Sequence, residues 1–213
     1  MGSFKRLFIL SFILFFSFSL YADKAKDLFL SMPAHFTPLL TEVNKADCID
    51  FLASNMKAQV TNRLDGTSEM TQLADDYIHM QMTLTSEWEM KLFPLTEGGY
   101  LIGIVKTSCA PACDSQMQLY SSDWKLLTLS DYLKYPSFYD YIQWPTDAIE
   151  KEKLTQLLNS LTFSLSKIQV EAKSNQITFV SSLLDLIDKE TAEKIEPYLI
   201  KEKTLSWNGS VFE

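Results

Sequence analysis

Tyr77-Ile-His-Met-Gln-Met-Thr-Leu84 decides the fold class, because apolar and polar side chains alternate along it residue by residue. Alternate side chains of a β-strand share a face. Ile78, Met80, Met82 and Leu84 therefore point one way, and His79 and Gln81 the other. Ser86 to Leu92 repeats the pattern, with Trp88, Met90 and Leu92 inward and Glu87, Glu89 and Lys91 outward. Glu97-Gly98-Gly99 is a turn signal. Tyr100 to Thr107 after it is an apolar strand suited to burial on both faces. Ser115 to Tyr120 and Trp124 to Leu129, joined by Ser121-Ser122-Asp123, read as a further hairpin. The whole stretch from Gln59 to Leu129 is expected to be an antiparallel meander with one face on a core.

Helical periodicity flanks this stretch. Lys24 to Ser31 reads as a helix that stops at Met32-Pro33, since proline disfavours helix in the residue before it. Asn44 is the expected N-cap of a helix through about Asn55, with Cys48, Phe51 and Leu52 at i, i+3, i+4. Ser130 to Pro145, rich in Tyr and Phe, is an irregular packed connection. Thr146 or Asp147 caps a helix through Ser160. Strands return at Leu161 to Ala172 and Gln176 to Val180. Asp188 caps a short helix through Ile195, ended or kinked by Pro197, and a last strand runs from Thr204 to Trp207. Grouped strands with helices outside them give a single α+β domain, mainly antiparallel, with three to four short helices.

Residues 1–22 have the three parts of a cleavable secretory signal: basic Lys5 and Arg6, the apolar run Leu7 to Leu20, and Ala22 at the exit. The run is shorter than the roughly 20 apolar residues a membrane span needs, and no cysteine near the exit offers a lipobox. Residues 23–213 are then the mature domain, expected in the periplasm or secreted and not membrane-spanning. Removing residues 1–22 takes the formal charge from −8 to −10, because the leader carries two basic and no acidic residues. An acidic chain without a Lys/Arg cluster is a poor partner for nucleic acid.

Cys48, Cys109 and Cys113 are the chain's cysteines. Cys48 lies in a helical pattern and reads as a buried free thiol. Cys109 and Cys113 flank Ala-Pro-Ala and are the pair to bridge in an oxidising compartment, with two idle thiols as the alternative.

Several stretches together carry a resemblance. They are Phe29-Leu-Ser-Met-Pro33, Val60-Thr-Asn-Arg-Leu-Asp-Gly66, Asp76-Tyr-Ile, Leu92-Phe-Pro-Leu95, Thr107-Ser-Cys-Ala-Pro-Ala-Cys-Asp-Ser115, Leu119-Tyr-Ser-Ser-Asp-Trp124, Glu196-Pro-Tyr-Leu199 and Leu205-Ser-Trp-Asn-Gly-Ser-Val-Phe212. In this order they resemble domain-of-unknown-function family 3256, an exported family of Bacteroidetes. The resemblance implies a single periplasmic or secreted domain and supplies no catalytic residues.

Candidate chemistry is thin. His35 and His79 are the two histidines, and no Gly-x-Ser-x-Gly elbow accompanies them. His79, Met80 and Met82 are soft ligands suited to copper, but strand alternation turns His79 away from both methionines. Cys109-x-x-x-Cys113 lacks the spacing and the βαβ setting of a redox dithiol. Glu87 and Glu89 share a strand face with Lys91 and read as a solvated charge stripe rather than a catalytic pair. No catalytic residue, cofactor or metal ligand is assigned. Tyr135, Tyr139, Tyr141 and Trp144 are a candidate interaction surface, with core packing as the alternative. The functional expectation is a non-enzymatic envelope protein, a binding or assembly module for another envelope protein, a peptide or a glycan. The alternatives are a periplasmic carrier or chaperone for lipid or unfolded clients, and an enzyme with an unrecognised carboxylate site.

Overall fold

The structure, a computed structural model, describes residues 24–161 and 165–213. The signal expected at residues 1–22 lies outside them, as do residues 162–164 of the strand expected from Leu161. Two helices, α1 (Lys24–Ser31) and α2 (Glu42–Ala53), precede six strands: β1 (Ala58–Thr61), β2 (Thr67–Ala74), β3 (Tyr77–Thr83), β4 (Ser86–Pro94), β5 (Tyr100–Cys109) and β6 (Cys113–Tyr120). Each strand pairs antiparallel with the next, in the order β1-β2-β3-β4-β5-β6. After a connection of short 3-10 turns come α3 (Ala148–Asn159), β7 (Ser166–Val170), β8 (Gln176–Ser181), α4 (Lys189–Ile195) and β9 (Glu202–Ser206). Strands β7-β8-β9 form a second antiparallel sheet. The chain is an α+β domain built on meander sheets, as the alternation predicts.

Two helices, α3 and α4, start at their expected caps. Asp147 accepts hydrogen bonds from the Ile149 and Glu150 amides at the start of α3, and Asp188 accepts one from Thr191 at the start of α4. The start of α2 corrects the expectation of an Asn44 cap. Thr41 is the N-cap: its hydroxyl accepts from the Asn44 amide, and the Asn44 side chain accepts from the Thr41 amide, each at 3.0 Å. This reciprocal capping box satisfies two otherwise orphaned donors, so the helix begins earlier than a lone Asn cap implies.

The six-stranded sheet is the middle of three layers. One face carries Ile78, Met80, Trp88, Met90, Ile102 and Ile104 against Phe29, Phe36, Cys48 and Ile49 of the N-terminal helical segment. Its opposite face carries Phe93, Leu101, Val105, Met117 and Leu119 against Ile168, Ile177 and Phe179 of the second sheet, with Trp207 and Phe212 beyond. This corrects the expectation of a meander with one solvated face: Trp88 to Phe93 are buried one after another. A third cluster, including Ile142, Leu154, Leu158, Leu183 and Ile195, packs α3 and α4 together with the connection before α3 and the turn after β8.

Two local readings change. β3 ends at Thr83 in a register shift, so Leu84 leaves the apolar face and stands fully exposed in the β3–β4 turn. Trp124 to Leu129 is not a strand; a lone bridge, Tyr120 to Leu126, joins it to β6. Trp124 takes a positive φ of 63° and packs against Phe36, their ring centroids 4.7 Å apart. That turns the chain out of line with β6.

Gly103, on β5, has no room for a side chain: a Cβ there would meet Cε2 of Phe93 at 2.6 Å. Gly103→Ala is therefore expected to destabilise the fold by roughly 1–3 kcal/mol through overpacking, despite alanine's smaller entropy cost. Urea unfolding checks this, and an unchanged midpoint would show that the second core repacks freely.

Candidate functional site

Residues 87, 89 and 91 of β4 project toward the second sheet, where β7 and the β7–β8 turn close over them. At the first of these positions the Glu87 carboxylate takes both its oxygens to Lys167 of β7, at 3.0 and 2.8 Å. His79 Nε2 lies 3.7 Å from the same carboxylate, and its Nδ1 is hydrogen-bonded to the Thr71 hydroxyl. Burial holds the His79 imidazole below its usual pKa, with the Glu87 charge working against it. Two residues along, Glu89 is 5% exposed and accepts a hydrogen bond of 2.6 Å from the Tyr77 hydroxyl. Burial pushes the Glu89 carboxyl up to about 7; the Tyr77 bond opposes that shift and the Glu87 charge adds to it. The Tyr77 phenol is pushed up as well, by burial first and then by Glu89. Gln72, Gln169 and Val170 complete a polar recess of about 250 Å³.

Further along β4 the recess gives way to a larger cleft, of about 660 Å³. Lys91 forms its floor. Only 2% exposed, this ammonium donates to Asp76 Oδ2 and to the Ala172 carbonyl, both at 2.9 Å, and so ties the β2–β3 turn to the end of β7. Tyr100, Lys24 and Asp75 stand on one side, and the β7–β8 turn, Lys173-Ser174-Asn175, on the other. The Lys24 ammonium lies 5.6 Å from the Tyr100 ring centroid.

This arrangement corrects the solvated charge stripe. Alternation puts Glu87, Glu89 and Lys91 on one face correctly, but the second sheet lies over that face. It buries Glu89 and Lys91 and pairs Glu87 across the two sheets.

The family model described as a protein of unknown function (DUF3256) matches residues 17–212. The chain belongs to the DUF3256 family. Among solved structures it is similar to a domain of an uncharacterized protein from Porphyromonas gingivalis W83, with a TM-score of 0.76 and 19% identity. The match covers 89% of this chain and 96% of that one, and at this identity it speaks for the fold alone. No curated protein matches the chain.

The other candidate residues of this DUF3256 chain lie apart from the two cavities. Cys109 and Cys113 face each other at the β5–β6 turn and are joined by a disulfide, while Cys48 is free and buried. The strand register already pairs the two residues and the loop is very short. Replacing both by serine is expected to cost at most about 2 kcal/mol, read as a small drop in the urea midpoint against wild type. A larger loss would mean that the bridge holds the hairpin's register. Met80 and Met82 point into the helix-side core, on the face opposite His79, so these three cannot share a copper ion. His35 packs at a tilt against Phe36 in a 3-10 turn.

The aromatic surface is reduced by one member. Tyr141 is buried in the second core and leaves the candidate surface, because the chain at 141–143 is stitched to Tyr198 and Ile200 by backbone hydrogen bonds. Tyr139 is half exposed and stacks on Trp144, with Lys151 over the indole. Tyr135 is 38% exposed, and its hydroxyl accepts from the Met117 amide at the edge of β6. Sequence reading passed over Lys167, Lys91 and Tyr100 as site residues. The first two are ordinary surface lysines by composition, and only their partners distinguish them.

Proposed function

We propose that this protein is an exported, non-enzymatic binding module that seats a small ligand, or the end of a larger one, in the cleft between the two sheets. The observation that carries this is the cleft itself. It is an opening of about 660 Å³ where charged groups, an aromatic ring and a turn converge on a rigid floor. Binding sites are concave places with a few convergent polar groups. The cleft's lining mixes charged groups such as Lys24, Asp75 and Lys173 with the apolar Leu92, Pro94 and Tyr100, which suits a ligand that carries both a charge and an apolar face. No described helix is long and apolar enough to cross a membrane.

Hydrogen exchange on the purified protein, with and without peptide and glycan fractions of the bacterial envelope, tests this reading. Protection is expected to gather on residues 74–76, 91–94, 99–100 and 172–175. Protection centred on 135–144 instead would move the site to the aromatic surface and sink the cleft reading.

The enzyme alternative has one specific observation in its favour. Burial raises the Glu89 carboxyl to about 7, two residues along the strand from the ion-paired Glu87, and a carboxyl tuned toward neutrality is suited to general acid–base catalysis. A hydrolase screen with Glu89→Gln as control separates the readings, since turnover lost in that variant would favour the enzyme.

A further inference from the structure

If the cleft is the ligand seat, its charge restricts what it takes; the following rests on that reading. The chain's formal charge is −8, yet the cleft presents the exposed side chains of Lys24 and Lys173. Neither ammonium meets a carboxylate among the described residues. Asp76 is neutralised by Lys91 at 2.9 Å, which leaves Asp75 as the one lining carboxylate set against two ammonium groups. A local excess of positive charge in a cleft concentrates anions there, here against the sign of the molecule as a whole.

A second observation is independent of charge. Ser174, in the β7–β8 turn that makes the far wall, has a buried hydroxyl with no hydrogen-bond partner. Such a group costs about 1–3 kcal/mol when its bond is unmade, so turning the hydroxyl out toward a ligand oxygen at this wall would be favoured. Asn175 beside it adds an amide donor and acceptor, and Tyr100 opposite adds an aromatic face. Ammonium groups, a hydroxyl lacking a partner and an aromatic ring match a compact ring that carries one carboxylate and several hydroxyls. We propose that the cleft binds an acidic saccharide of the uronic-acid type, its carboxylate held by Lys24 and Lys173 and its hydroxyls meeting Ser174 and Asn175.

Isothermal titration of the purified protein with a galacturonic acid trisaccharide, the neutral galactose trisaccharide and inorganic phosphate tests this. The acidic sugar is expected to bind at least about tenfold more tightly than the neutral one, with an advantage that shrinks as salt rises. The Lys24→Gln, Lys173→Gln double variant should lose that advantage and keep the wild-type unfolding midpoint, since both side chains are exposed. Equal affinity for the neutral sugar, or a preference that survives in the double variant, overturns the proposal. Phosphate competing as well as the sugar also overturns it and makes the site an inorganic anion seat. Neutral-sugar binding that is lost in Tyr100→Ala would refute the carboxylate and leave the cleft standing. Absence of binding by every probe overturns the saccharide proposal, and hydrogen exchange with the envelope fractions then decides whether the cleft seats another ligand.

Discussion

Glu89→Gln is expected to stabilise the protein at pH 8 by about 3 kcal/mol, with a gain that shrinks toward zero as the pH falls to 4.5. The carboxyl is buried and its pKa rises from an ordinary 4.5 to about 7. Each tenfold change in an acid's dissociation constant corresponds to about 1.4 kcal/mol between its two protonation states. Between these two values the folded state holds a proton that the unfolded chain has released. The stability this group allows is therefore greatest below pH 4.5, falls as the pH rises to about 7, and is flat above that. Glutamine keeps an oxygen for the Tyr77 hydroxyl, which donates to Glu89 at 2.6 Å, and carries no charge to desolvate. His79 acts with the opposite sign. Its pKa lies below the usual 6.5, so its contribution is present above that value and is lost as the pH falls through the lowered one. Urea unfolding of wild type and Glu89→Gln at pH 5.5 and pH 8 reads the difference. A variant less stable than wild type at both pH values would mean that the ionised carboxylate holds the second sheet in place.

Phe93→Ala is expected to cost about 3–5 kcal/mol, the range for removing a buried aromatic ring. Phe93 is fully buried at the centre of the second core. Its ring meets Phe212 edge-on, with centroids 4.9 Å apart, and lies 5.9 Å from that of Trp207. Gly103 makes room for it across the β4–β5 pair. The substitution opens a cavity between the large sheet and the C-terminal segment, whose indole is anchored by a 2.6 Å bond from Trp207 Nε1 to the Pro94 carbonyl. Tryptophan fluorescence followed through urea unfolding reports both the stability loss and any loosening at Trp207. A loss under about 1 kcal/mol would show that the core collapses around the missing ring.

Both predictions concern the layer over β4, which the sequence does not announce. Strand alternation correctly assigns Trp88, Met90 and Leu92 to one face and Glu87, Glu89 and Lys91 to the other. It contains no statement of what covers either face. The partner of Glu87 is Lys167, 80 residues away, and Lys91 reaches Ala172, 81 residues away. Contacts at such separations leave no local periodicity. Caps, by contrast, are local: Asp147 and Asp188 were legible because an N-cap satisfies amides two or three residues on. Asn44 misled because it belongs to a reciprocal pair with Thr41. Tyr135, Tyr139, Tyr141 and Trp144 form one aromatic-rich stretch in sequence, and packing divides it into a buried Tyr141 and a partly exposed remainder.

By itself, then, the sequence determined the α+β class, the strands from Tyr77 to Tyr120, most helices and the family resemblance, since each rests on short-range patterning and on motifs spread along the chain. Only the tertiary structure decided that the central sheet is covered on both sides, that burial raises the Glu89 carboxyl toward neutrality, and that a cleft opens beside Lys91. Those features come from one sheet docking on another, and the burial it imposes depends on residues far apart in the chain.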